Sequence, residues 1–382
     1  MDVPALERCV GDVDAFFDKH WGLAPLLREP DGDASFDDLS SADDLDRMVS
    51  SLGLRASNLR MVKDGKTLPP AAYTTSARGQ GSEDVVNAAL VYQRYAEGGT
   101  IVLESLHRYW EPLTDFCRDL ELALGHRLQV NAYITPRGSR GFDVHRDDHD
   151  VFVLQVSGSK HWIVYDRDDE DIVLIDQDIE RGACLYIPTG FPHAATTARS
   201  SSSHLTVGIL THDGIDVVRE IVKLAEQEPI FKERLRHGSA QDVPSLRETL
   251  EKQVDEMRAW LDKLDVDELT ERVARRVMAT SQGIVRGQLH QLDELDAIGP
   301  TTVVARRRGA VCVVFPGDGD VKVLLADRQL EMPPVARAAM EEVARRERFA
   351  VRDLQSFLDA EGAVILVKRL VREGLLEVVL DG

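Results

Sequence analysis

Short strand-like segments follow one another between residues 127 and 212, and they constrain the fold of this 382-residue chain more than any other feature. Segments 151–156 and 160–165 flank a Ser-Gly-Ser turn, which is the pattern of a β-hairpin. A second strand–turn–strand contains the turn Pro188-Thr-Gly and ends in a histidine. Such a succession predicts a small barrel with a pocket at its mouth. The predicted strands are 127–135, 142–147, 150–156, 160–165, 171–174, 183–188, 192–198 and 203–211.

Three residues of this region, His145, Asp147 and His193, have the side chains of a metal site. Residues two apart in an extended strand point to the same face, so His145 and Asp147 can face one ion. His193 follows 48 positions after His145 (193 − 145), directly after the Pro-Thr-Gly turn, on another strand. Two imidazoles and one carboxylate suit non-haem Fe(II) and leave three coordination positions open.

The His-x-Asp triplet is weak when it is taken alone. With 11 His and 66 acidic residues in 382, chance gives it about twice (11 × 66/382), and it occurs once. Its context favours the metal interpretation, because a Gly/Pro/Arg-rich loop at 136–141 precedes it and the hairpin follows it. His149 is predicted to be structural or to support the ligands without binding the ion, since three ligands along one strand, at about 3.3 Å per residue, would spread too far for one ion.

These motifs together resemble the Jumonji-C/cupin branch of the 2-oxoglutarate oxygenases, and more narrowly the ribosomal oxygenases. The matching pieces are Asn131-x-Tyr133, the loop at 136–141, His145-x-Asp147, Lys160, Ile187-Pro-x-Gly-x-Pro-His193 and His204-Leu-Thr.

The resemblance implies a double-stranded β-helix (jelly-roll or cupin) barrel in an α+β chain. It implies Fe(II), 2-oxoglutarate and O2 as cofactor and cosubstrates, and hydroxylation of a ribosomal-protein side chain, Arg or His. Lys160 is expected to bind the distal carboxylate of 2-oxoglutarate. Asn131, Tyr133 and His204 are expected to line the same pocket.

Charge and composition limit the partners. A net charge of −20 disfavours nucleic acid and anionic membranes and favours a basic partner, although an acid-biased host proteome would give the same charge. No long apolar run or signal-peptide pattern is visible, so we predict no membrane span and a cytoplasmic location. The four scattered cysteines indicate reduced structural thiols.

Three domains are predicted: a catalytic domain at 1–213 with flanking helices and a barrel at about 127–212, a helical domain at 214–298, and a winged-helix-like domain at 299–382. The apolar stripe of the helical domain favours a homodimerisation unit over an ordinary core helix. Residues 301–382 contain 13 Lys/Arg and 13 Asp/Glu, so the last domain lacks the basic surface of a DNA reader and is interpreted as a protein-interaction or structural module.

Rival functions stay open at this point. The oxygenase substrate could instead be a tRNA base or a natural-product peptide. A non-oxidative metal-binding cupin is disfavoured by Lys160, and a winged-helix regulator is disfavoured by the neutral C-terminal segment.

Overall fold

Two antiparallel sheets build the N-terminal part of the protein in this computed structural model. The strands are β1 Leu26–Arg28, β2 Leu59–Lys63, β3 Lys66–Thr67, β4 Thr74–Thr75, β5 Val85–Val86, β6 Thr100–Leu103, β7 Arg127–Thr135, β8 Asp150–Ser157, β9 Ser159–Tyr165, β10 Val173–Glu180, β11 Cys184–Ile187, β12 His193–Thr196 and β13 Ser202–Leu210. The larger sheet has the order β1-β11-β8-β13-β7-β6-β2-β3, and the smaller sheet has the order β10-β9-β12. Outside these two sheets, β4 and β5 pair with each other. The helices are α1 Ala5–Val10, α2 Val13–Lys19, α3 Ala42–Ser51, α4 Ala88–Ala96 and α5 Glu111–Leu124, with 3-10 turns at Pro70–Ala72 and Leu106–Arg108.

The structure describes residues 5–30, 32, 35–76, 84–139, 143–197, 200–234, 242–278, 283–317, 319–325 and 327–379. The chain divides into two compact units, Met1–Thr211 and His212–Gly382. The further predicted division at residue 298 stays a prediction.

Strand β8 shows how the sequence builds the two layers. Successive side chains of a strand point to opposite faces. Phe152 and Leu154 of β8 therefore join the main core beneath the helices, while Val151 and Val153 join a smaller cluster that includes residues of the smaller sheet. Because both faces of β8 are buried, its sequence is almost continuously apolar instead of alternating.

The predicted hairpin at 150–165 is wrong, although β8 and β9 both form and are joined through Gly158. Strand β8 pairs with β11 and β13 in the larger sheet, whereas β9 pairs with β10 and β12 in the smaller sheet. The turn therefore carries the chain from one sheet to the other. Gly158 has φ +63, and a Cβ atom there would lie 1.9 Å from the backbone oxygen of Ser201. Only glycine therefore fits this turn without displacing the chain.

Two predicted strands are wrong. Among the described residues of 142–147 there is no strand, only an isolated bridge between His145 and His193. Residues 143–146 are exposed, Val144 among them at 48%, so this part of the chain has no buried side chain with which to anchor a strand against a core. The predicted strand at 171–174 is instead β10, Val173–Glu180, whose largely exposed side chains give little hydrophobic signal.

The second unit combines helices with two small sheets. Its helices are α6 Gly214–Ala225, α7 Val243–Leu261, α8 Val266–Met278, α9 Gln288–Asp293, α10 Arg337–Arg345 and α11 Ala360–Arg372, with 3-10 turns at Pro229–Lys232, Leu295–Ala297, Pro334–Ala336 and Val351–Ser356. Its strands are β14 Val303–Arg306, β15 Cys312–Val314, β16 Val321–Leu325, β17 Gln329–Met332, β18 Arg348–Ala350 and β19 Leu376–Val378, in sheets of order β18-β14-β19 and β15-β16-β17. A separate core that includes α10 and α11 holds the part of this unit from Leu295 to Val378 together. No helix among the described residues is long and apolar enough to cross a membrane.

Candidate metal and cosubstrate site

His145, Asp147 and His193 come together at one end of the barrel. One potential ligand atom from each lies within 4.8 Å of the others. The Oδ1 and Oδ2 atoms of Asp147 are 3.8 Å from His145 Nε2 and 3.6 Å from His193 Nε2, respectively. His145 and His193 also exchange backbone hydrogen bonds of 3.1 and 2.9 Å, which fix the two residues opposite each other.

Backbone carbonyls set the protonation of both imidazoles. His145 Nδ1 lies 2.9 Å from the Asp143 carbonyl oxygen, and His193 Nδ1 lies 3.0 Å from that of Phe191. A carbonyl only accepts, so each Nδ1 carries the proton and each Nε2 keeps its lone pair. Burial also lowers the pKa of His193, which favours its neutral form. Both rings are therefore prepared as Nε2 metal ligands.

A buried carboxylate at the start of β8 holds the turn that precedes His193. Asp150 Oδ1 accepts hydrogen bonds from the backbone N–H and the hydroxyl of Thr189, at 2.8 and 2.7 Å, and the Tyr186 hydroxyl donates to its Oδ2. The Gly190 N–H donates to the Asp147 carbonyl at 3.0 Å. Sequence reasoning did not assign this role to Asp150, although an acid that opens an almost continuously apolar strand is a signal for a buried polar role.

A cavity of about 250 Å³ opens beside the three residues. It is lined by Arg60, Tyr133, His145, Asp147, Val151, Val153, Lys160, Trp162, His193, Ala195, His204 and Thr206. The predicted residues His145, Asp147, His193, Lys160, Tyr133 and His204 are thus brought together.

Lys160 is the most unusual of the lining residues, because its side chain is buried with 5 % of the residue exposed. Among the described residues no carboxylate lies within ion-pair distance of its ammonium, which lies 5.8 Å from the centroid of the Trp162 ring. Burial lowers the pKa of Lys160 to about 8. An unpaired buried cation is costly, and a bound anion would offset that cost.

Aromatic rings form one wall of the cavity. Tyr133 and His204 stack in parallel at 5.0 Å between centroids, and Trp162 meets His204 edge-on at 5.7 Å. Two buried ring nitrogens, Trp162 Nε1 and His204 Nδ1, have no hydrogen-bond partner within the described part of the chain. Burial and the neighbouring Lys160 charge lower the pKa of His204 well below its usual range. This wall therefore has unused capacity for hydrogen bonding to a polar ligand.

The remaining predicted residue, Asn131, is not among the cavity-lining residues. It lies on the same face of β7 as Tyr133, but its Oδ1 accepts the Ser105 backbone N–H at 2.9 Å. Its role toward a cosubstrate stays a prediction. Sequence reasoning missed Arg60, whose Nε lies 2.5 Å from Glu104 Oε1 and whose guanidinium reaches the Tyr133 hydroxyl at 3.4 Å.

His149 lies beside the site without being a member of the three-residue cluster. Its Nδ1 is 2.9 Å from Asp148 Oδ1. Its ring occupies the space over Gly208, where a Cβ atom would come within 2.7 Å of Nε2. A glycine in β13 is therefore what makes room for this imidazole.

Comparison with known proteins shows what the region around this site is similar to. Residues 110–217 match the family described as "JmjC domain", and this range contains every predicted site residue. This part of the chain is similar to a JmjC domain. The predicted resemblance is thereby confirmed, and the fold is of the JmjC cupin type.

Curated relatives match about half of the chain. The chain is 26% identical over 214 residues to the bifunctional lysine-specific demethylase and histidyl-hydroxylase NO66 of Dictyostelium discoideum, covering 51% of this chain and 40% of that protein. It is 29% identical over 214 residues to ribosomal oxygenase 1 of Gallus gallus, covering 51% and 34%. The chain thus spans less than half the length of these relatives.

Solved structures match nearly the whole chain in fold. The Escherichia coli ribosomal oxygenase YcfD superposes with a TM-score of 0.58 at 17% identity, covering 97% of this chain and 99% of that one. YcfD in complex with cobalt and 2-oxoglutarate gives 0.59 at 18% identity, covering 96% and 97%. At such identities the likeness concerns the fold.

Proposed function

We propose that this protein is an Fe(II)- and 2-oxoglutarate-dependent oxygenase. The observation that carries the proposal is Lys160, a buried and unpaired cation in the same cavity as a His-Asp-His cluster. A dicarboxylate that reaches both the metal and the lysine satisfies both ends of this cavity at once. YcfD, which shares the fold, has been solved with cobalt and 2-oxoglutarate and with cobalt and succinic acid.

The residues fit these groups. His145, Asp147 and His193 would hold the metal through two Nε2 atoms and a carboxylate. Lys160 would bind the far carboxylate of 2-oxoglutarate as a charge-assisted pair shielded from water. When bound, Fe(II), 2-oxoglutarate and O2 supply the oxidation that hydroxylates a C–H bond, with release of succinate and CO2. The aromatic wall excludes water, and its ring nitrogens are positioned to orient the cosubstrate.

An anaerobic titration tests this assignment. Fe(II) followed by 2-oxoglutarate should produce the visible charge-transfer absorption of a chelated keto acid. Glutarate, which lacks the keto group, is the matched control and should produce none. A protein that binds the metal but gives no such absorption, and forms no succinate in air, would instead be a non-oxidative cupin.

The substrate that we propose is a basic ribosomal protein, hydroxylated on an Arg or His side chain. The formal charge of −20 lies entirely in residues 1–300, since 301–382 is neutral, and a negative field attracts basic segments. The names of two curated relatives, a histidyl-hydroxylase and a ribosomal oxygenase, agree with this class. Nucleic acid is not proposed as a direct partner, and the proposed location is the cytoplasm.

Mass spectrometry of ribosomal proteins from wild-type and deletion strains tests the substrate. We expect one ribosomal protein from the deletion strain to be lighter by the mass of one oxygen atom. The wild-type gene should restore the full mass, and the Asp147→Ala gene should not. If a tRNA base or a natural-product peptide carries the lost oxygen instead, the substrate proposal is wrong while the oxygenase proposal stands.

We also propose that the helical segment 214–298 forms a homodimer and that 299–382 is a winged-helix-like interaction or structural module. Helix α7 supports the first proposal because it buries no residue, and Val243, Leu250 and Val254 are 78%, 49% and 47% exposed along it. The central tryptophan of the predicted stripe, Trp260, instead packs edge-on against Phe231 at 5.7 Å.

Light scattering of the double variant Leu250→Glu plus Val254→Glu therefore tests the dimer without disturbing the Trp260 contact. The wild type should scatter as twice 42.5 kDa and the variant as a monomer. A wild type that is monomeric at micromolar concentration would contradict the proposal.

A further inference from the structure

The smaller sheet has an outer strand whose surface is both apolar and strongly acidic. Within the described residues β10 pairs with β9 on one side and with no strand on the other. Ile172, Val173 and Leu174, at its beginning, are 49%, 47% and 44% exposed. We call residues 172–180 the β10 edge. Unpaired strand edges bind other extended segments, and exposed apolar side chains add to that tendency.

Negative charge surrounds the β10 edge. Of the fifteen residues from 166 to 180, eight are acidic and one is Arg. The acids are Asp166, Asp168, Asp169, Glu170, Asp171, Asp176, Asp178 and Glu180. Arg146 compensates part of this charge by pairing with Glu170 at 2.6 Å, while the two ring nitrogens of His161 lie 2.9 Å from Asp176 and Asp178.

Hydrogen bonds and strand pairing connect this surface to the His145, Asp147 and His193 cluster. Arg146, which lies between His145 and Asp147 in sequence, donates to the carbonyls of Arg167 and Gly190 at 2.7 and 2.8 Å. Its other guanidinium nitrogen binds Glu170 in the acidic loop 166–171. Across the sheet, His193 pairs with Val164 and Val164 pairs with Ile175. The β10 edge is therefore two strand spacings, roughly 10 Å, from the backbone of a predicted metal ligand.

We infer that the β10 edge docks an extended basic segment of the protein substrate, which adds to the smaller sheet as a fourth strand. Main-chain hydrogen bonds would supply affinity, apolar side chains would cover Ile172 to Leu174, and Lys or Arg side chains would face the surrounding carboxylates. The inference rests on the proposed function for the identity of the segment as substrate. A residue of the substrate next to the docked segment would then reach the cavity.

Charge decides between this occupant and a second copy of the protein. Pairing two β10 edges would bring Asp176, Asp178 and Glu180 of one copy close to the same acids of the other, and like charges across a strand pair are destabilising. A partner strand with a cation at every second position would instead place opposite charges beside these acids and stabilise the pair. The acids therefore protect the edge from self-association while they leave it open to a basic strand.

The test uses the full-length protein and a fluorescein-labelled peptide in which Lys and Val alternate. Fluorescence anisotropy should show binding that weakens with salt, and hydrogen exchange should slow within 172–180. A Glu-Val peptide and a Lys-Val peptide with N-methylated backbone should both bind at least ten-fold more weakly. The double variant Ile172→Lys plus Leu174→Lys should lose at least ten-fold in affinity. Leu122→Lys, which changes a leucine on α5 that is 56% exposed, should not.

Three results would overturn the inference: unchanged affinity in the double variant, equal binding of the N-methylated peptide, or slowed exchange that excludes 172–180. A wild-type dimer that the double variant dissociates would show that a second copy occupies the edge and would also overturn it. The double variant should still give the anaerobic Fe(II)/2-oxoglutarate absorption. If the wild type does not give that absorption, the proposed function is wrong, whereas the measured binding of the peptide to the β10 edge would still stand.

Discussion

Replacing Lys160 with methionine should make the protein more stable and less active. Burial lowers the pKa of Lys160 from 10.5 to about 8, which measures what the folded protein loses by holding this charge without a partner. The shift of about 2.5 (10.5 − 8) corresponds to about 3 kcal/mol at 1.36 kcal/mol per pKa unit. Methionine has a similar length and no charge, so the cosubstrate-free variant should gain stability of this order near pH 7.

The lowered pKa of Lys160 also predicts how the stability of the folded protein changes with pH. Between pH 8 and 10.5 the unfolded chain holds the Lys160 proton and the folded protein does not, so stability rises with pH across this window. The methionine variant should lose that rise. Lys66→Met, at an exposed lysine, is the matched control and should change neither the stability nor its pH profile.

The same variant should bind 2-oxoglutarate more weakly, although its folded state is more stable. Removing one partner of a buried ion pair costs about 3–5 kcal/mol. At about 1.4 kcal/mol per ten-fold, the KM for 2-oxoglutarate should rise by roughly two to three and a half orders of magnitude. Metal affinity should change little, because Lys160 is not a metal ligand in this account.

Chemical denaturation without cosubstrate and succinate assays over a range of 2-oxoglutarate concentrations measure the two effects. Lys160→Arg, which keeps the charge, should retain much more cosubstrate affinity than the methionine variant. A methionine variant that is destabilised and keeps the wild-type KM would refute the reasoning, because Lys160 would then be a structural residue with partners of its own.

Three further variants test the parts that support the site. Asp147→Ala should abolish metal binding in a calorimetric titration while the unfolding midpoint stays within a few degrees, since this partly exposed loop residue contributes little to the core; a large loss of stability would contradict this. Asp150→Asn should cost about 1–3 kcal/mol of unfolding free energy and weaken metal binding, because it loosens the turn before His193, whereas the exposed Asp148→Asn should do neither. Gly158→Ala should destabilise the fold far more than Gly138→Ala, because both have positive φ but only Gly158 has a backbone oxygen 1.9 Å from the added Cβ; equal losses would show that φ alone matters.

The sequence predicts the barrel well where a strand has one clear role. β7 runs from Arg127 to Thr135, as its alternating pattern predicts, because one face meets the core and the other carries more polar residues, of which Tyr133 lines the cavity. β10 was misplaced because its exposed, acid-rich surface carries almost no hydrophobic pattern. Periodicity reports burial, and an outer strand with little buried surface therefore gives a weak signal.

The cluster itself was predictable, but its geometry was not. His145 and Asp147 were assigned to one strand face, whereas the described structure has only a bridge from His145 to His193 and a loop beyond it. The carbonyls of Asp143 and Phe191 orient the two rings, and no sequence pattern specifies such main-chain contacts. Arg60 was missed for a similar reason, since only folding brings its strand beside Tyr133.

Oxygen-isotope labelling tests the central claim most directly. The protein is supplied with Fe(II), 2-oxoglutarate and O2 labelled with oxygen-18, together with a ribosomal protein fraction from the deletion strain. The account predicts that one labelled atom enters succinate and the other enters an Arg or His side chain, and that Asp147→Ala produces neither. Succinate formation no greater than that of Asp147→Ala would contradict the assignment of an oxygenase site to His145, Asp147, His193 and Lys160.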